Sequence, residues 1–146
     1  MRIQSVSAWF VACAFAALVA CDRSTGPSFG GPDLTGTWVG SITHSEWGDG
    51  TITLNVSQRG PGVFGNWSST FPRAPFNVSG TLSGTMTGTP FILFLRPATP
   101  IVCGPDATLT GTLAISATVT GDQISGPFTI LNCSGVLSGQ VKASRQ

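Results

Sequence analysis

Leu34-Thr35-Gly36-Thr37-Trp38 decides how the chain is read, because most of the sequence C-terminal to it restates it with small changes. Variants recur as Val63-Phe64-Gly65-Asn66-Trp67, Val78-Ser79-Gly80-Thr81-Leu82, Leu109-Thr110-Gly111-Thr112-Leu113, Ile124-Ser125-Gly126-Pro127-Phe128 and Leu137-Ser138-Gly139-Gln140-Val141. Each places an apolar residue, a glycine and a second apolar residue two positions apart. Side chains alternate across a strand, so these three share one face and the small hydroxyl residues mostly take the other. The phrase is a strand, and its repetition is a sheet.

Around it, the spacing predicts eight strands separated by turn signals: 34–43, 50–58, 63–69, 76–87, 90–96, 107–119, 123–131 and 135–143. Short turns follow the second, fourth and sixth. Longer connections follow the first (44–49), third (70–75) and fifth (97–106), and in a meander these share one end with the short link after the seventh. The expected fold is all-β, an eight-stranded antiparallel up-and-down barrel, with a two-sheet β-sandwich as the alternative. Strand-interior glycines favour closure, which removes exposed sheet edges. Trp38, Leu54, Trp67, Leu82, Leu113 and Phe128 are expected to face inward, either filling a narrow interior or lining a cavity. The fifth strand is apolar on both faces (Phe91-Ile92-Leu93-Phe94-Leu95). It suits either an oligomer contact through 90–96 or a position beneath the 97–106 loop.

Composition bounds the rest. The 146 residues include 19 glycines, and only 9% are charged. Length supports one domain with a core. Arg2 precedes an apolar run from Val6 to Val19 that is shorter than the ~20 residues of a comfortable membrane span. Residues 1–20 therefore read as a leader, 21–33 as a flexible tether with two Gly-Pro steps, and 34–146 as the barrel domain. Seven basic residues less Arg2 leave six against six acidic ones. No basic patch for nucleic acid is present.

Leu18-Val19-Ala20-Cys21, at the end of the leader, resembles the lipobox of bacterial lipoproteins. The resemblance implies that Cys21 is diacylated and becomes the first residue. It also implies a membrane partner and residence in the cell envelope, with the domain in the periplasm or at the cell surface. Cys13 is lost with the leader. Cys103 and Cys133 remain, an even pair expected to form a disulfide in an oxidising compartment.

The Gly-x-Trp and Gly-x-apolar repeats resemble the avidin-like and lipocalin-like small barrels. In those families the first-strand tryptophan packs across the barrel floor, which implies that role for Trp38. Biotin chemistry does not carry over. Avidins place an asparagine two residues after that tryptophan, where this chain has Gly40, and a tyrosine where it has Trp67; Ser69 falls where a ligand-contacting serine would lie.

For chemistry, the single histidine and single glutamate, His44 and Glu46, stand two apart beside the first long connection, with Asp49 nearby. That spacing suits a general base or a weak metal ligand set on an extended segment. The bland alternative is a solvated loop, and the expectation is no catalysis, metal or cofactor. No Gly-x-Ser-x-Gly elbow or phosphate-binding glycine loop is present. Trp38, His44, Glu46, Trp47, Trp67, Ser69, Phe71, Arg73 and Arg96 are the candidate ligand-binding residues. With Asp106, the loop-borne members gather at the longer-loop end, where a small amphipathic ligand or an envelope protein would be met.

Overall fold

The computed structural model describes residues 30–72, 77–102, 108–109, 111–133 and 135–146. The leader, Cys21, most of the tether, Arg73, Cys103 and Asp106 lie outside them.

Among the described residues ten strands occur in order: β1 (Gly36–His44), β2 (Gly48–Arg59), β3 (Gly62–Thr70), β4 (Asn77–Thr85), β5 (Phe91–Pro97), β6 (Ile101–Val102), β7 (Thr108–Leu109), β8 (Leu113–Thr120), β9 (Gln123–Asn132) and β10 (Gly135–Arg145). Eight of them close into a barrel in which each pairs antiparallel with its neighbour, in the order β1-β2-β3-β4-β5-β8-β9-β10 and back to β1. The sandwich alternative is excluded by this closure. Apolar side chains occupy the inside. The outside is mainly hydroxyl-bearing, as along Thr37, Ser41 and Thr43 of β1. This is the reverse of a lipid-facing barrel, which is apolar outside.

Three local expectations need correction. The sixth strand does not run unbroken through 107–119: Thr108–Leu109 pair with Ile101–Val102 as a small hairpin, and the barrel strand begins at Leu113. Gly111, with φ +59°, takes the left-handed conformation that an extended strand cannot contain. The connection after β1 is only Ser45-Glu46-Trp47, because His44 continues the inward phase of Trp38 and Ile42 and pairs with Gly48. The fourth strand ends at Thr85, and Met86 then turns inward, buried, with its amide donating to the Pro61 carbonyl at 2.7 Å.

Register sets the layers. The lower barrel is filled by Trp38, Leu54, Leu82, Met86 and Leu93, all buried. Trp38 closes the floor: it is 0% exposed, and its indole Nε1–H donates to the Leu34 carbonyl at 2.8 Å. Arg145 faces Trp38 across the β1/β10 pair, and cross-strand partners share a face. Its guanidinium carbon lies 4.5 Å from the Trp38 ring centroid. The same group donates to the carbonyls of Asp33 and Thr35 and pairs with Asp122 at 3.1 Å. One side chain thus seals the floor and fastens the incoming segment to it. On β5, Phe91, Leu93 and Leu95 point in, while Ile92 and Phe94 stand outside, each 45% exposed.

Candidate ligand-binding cup

The end opposite Trp38 is not filled. A cavity of about 490 Å³ opens there, within the range of roughly 300–1,000 Å³ usual for small-molecule sites. Ile42, Leu113 and Ile130 line it together with the aromatic rings of His44, Trp47, Trp67 and Phe71. Val78, Ser79, Ala98, Thr99 and Cys133 stand along its sides and rim.

Two glycines shape the wall. Gly139 lies between His44 on β1 and Phe128 on β9 in the same row of the sheet. A Cβ there would come within 2.4 Å of the Phe128 ring and 2.0 Å of the Thr43 carbonyl oxygen. At Gly50 a Cβ would lie 2.6 Å from the Phe71 ring. The aromatic rings therefore lean over bare backbone. The sequence signal was the glycine repeat, but only the neighbouring strands reveal which rings use it.

His44 is the chemically distinctive member, 3% exposed at the end of β1. Its ring stacks on Trp47 at 4.2 Å and 9°, meets Phe71 edge-on at 6.0 Å, and lies 6.0 Å from Phe128. Nδ1 accepts the backbone N–H groups of Glu46 at 3.1 Å and Trp47 at 3.3 Å, so the turn and the ring hold each other. With Nδ1 an acceptor, the neutral ring carries its proton on Nε2. Nε2 is buried and has no hydrogen-bond partner among the described residues. Burial pushes the imidazole below the ordinary histidine value, and the charge of Glu46 opposes this less strongly.

The other candidates divide. Trp47, Trp67, Ser69 and Phe71 join His44 in the cup, with Ser69 itself buried and the Trp67 indole donating to the Arg96 carbonyl at 3.3 Å. Trp38 does not reach it, being committed to the floor. Glu46 lies exposed in the turn, and Arg96 follows Leu95, so strand alternation sends its side chain outside. His44, Glu46 and Asp49 do not form a ligand or acid–base set: Asp49 is on the outer face, accepting from the Thr43 hydroxyl at 3.0 Å. Ile42, Ile130, Val78 and Ala98 were missed as candidates because nothing distinguishes them in sequence from core or loop residues.

No protein-family model matches the chain, and none of the curated proteins or solved structures compared with it matches.

Proposed function

We propose that this protein is a non-catalytic carrier of a small, largely apolar ligand, held in the cup and tethered by lipid at Cys21 to a bacterial cell envelope. The observation that carries the reading is the aromatic-walled cavity above an otherwise filled interior. The alternative of an interaction or protease-inhibitor-like module calls for a packed interior, which the cup disfavours. Residues 30–35 enter at the sealed floor, so a lipid at the far end of the tether would leave the mouth turned away from the membrane. Kinship with avidin-like and lipocalin-like barrels belongs to the same proposal and is supported by the closed eight-strand meander and the floor position of Trp38. So does a Cys103–Cys133 bridge, supported by the even pair of cysteines left once Cys13 is assigned to the leader and Cys21 to the lipid. Native mass spectrometry of protein purified from its own host should show a bound small molecule that leaves on collisional activation. A bare polypeptide mass alone would overturn the carrier reading.

A further inference from the structure

A buried donor without a partner is costly, and native proteins leave few of them. Among the described residues His44 Nε2 is such an atom, itself buried in a residue whose ring lines the cup. The opposite ring edge is held by two backbone amides, so the ring cannot turn over to satisfy Nε2 without stranding those donors. The described lining contains no Lys, Arg, Asp or Glu, so a charge carried deep into the cup would lack a counter-charge. Trp47, Phe71 and Trp67 offer flat apolar surface beside the imidazole.

Resting on the reading of the cup as a ligand site, we propose that His44 Nε2–H is its recognition group. The ligand is an uncharged, ring-bearing molecule that presents one hydrogen-bond acceptor, of the ketone, ester or ether kind, to that atom. At that atom the complementarity is one-way. A hydroxyl or amide on the ligand is recognised through its oxygen, and a pure hydrocarbon leaves the imidazole N–H unsatisfied.

The test uses two probes of nearly equal shape, 2-acetylnaphthalene and 2-isopropenylnaphthalene, which differ by C=O against C=CH2. In equilibrium dialysis with the full chain the ketone should bind roughly tenfold more tightly, and in His44→Phe the two should agree within about twofold. Equal affinities for the native protein would overturn the role of His44 while leaving the cup as a binding site. Failure of both probes to bind would remove the cup reading and this proposal with it. A second measurement does not depend on the variant folding. The chain has one histidine, so a ¹⁵N-histidine spectrum of the native protein reports a single imidazole. It should show the Nε2-protonated tautomer, with that proton moving downfield on adding the ketone and not the hydrocarbon. The Nδ1-protonated form would refute the proposal.

Discussion

At His44 the folded chain holds a neutral ring between Trp47, Phe71 and Phe128, and protonating it would strand a charge there. In the unfolded chain the same ring titrates near its usual value of about 6.5. The folded value is lower, so below pH 6.5 the unfolded state binds more protons and stability rises with pH. The contribution of the buried ring is therefore complete above about pH 6.5 and is lost as pH falls toward the folded value. We predict that the urea midpoint falls between pH 7 and pH 5.5 in the native protein and is nearly level in His44→Phe, which has no histidine. Equal slopes would show that the ring is not buried in solution. The chemistry of His44 was visible as residue type and position, and its inward direction follows from the even phase of Trp38 and Ile42. Its tautomer was not, because that depends on where the Glu46 and Trp47 amides turn.

Among the elements, β1 and β10 carry the most responsibility. They close the barrel against each other, and their far ends seal the floor through Trp38 and Arg145. Arg145→Ala removes the cation–π contact and the bonds to the Asp33 and Thr35 carbonyls, and uncovers Trp38. The expected cost is about 2 kcal/mol, or a fall in Tm of roughly 5–10 °C. Probe affinity at the cup should be unchanged, because the cup lies at the other end. A stable Arg145→Ala barrel with weakened probe binding would contradict this division of labour. Most strands could be read to within a few residues from apolar alternation and turn residues. The sixth could not, because Leu109-Thr110-Gly111-Thr112-Leu113 copies the strand phrase while Gly111 bends it into the hairpin connection. The same ambiguity hid Ile101–Val102, a strand too short to show alternation.

For the whole molecule, the proposed arrangement sets a lipid at one end of the chain's path and an open cup at the other. Cys21→Ser should shift the protein from the membrane to the soluble fraction, and unchanged partitioning would sink the lipid anchor. Thiol counting on the denatured, unreduced protein after leader cleavage should find no reactive cysteine; two reactive thiols would refute the proposed bridge.

Alternation, glycine spacing and turn residues are local properties, and they sufficed to determine the all-β class and the strand count of the barrel. They also identified Trp38, Trp47, Trp67 and Phe71 as residues of consequence. Whether the interior is full is a sum around eight strands: it depends on which side chains share a layer, and that is set by register and closure. Only the tertiary structure could set Phe128 over Gly139, lay Arg145 on Trp38, and leave His44 with one edge satisfied and the other, among the described residues, without a partner.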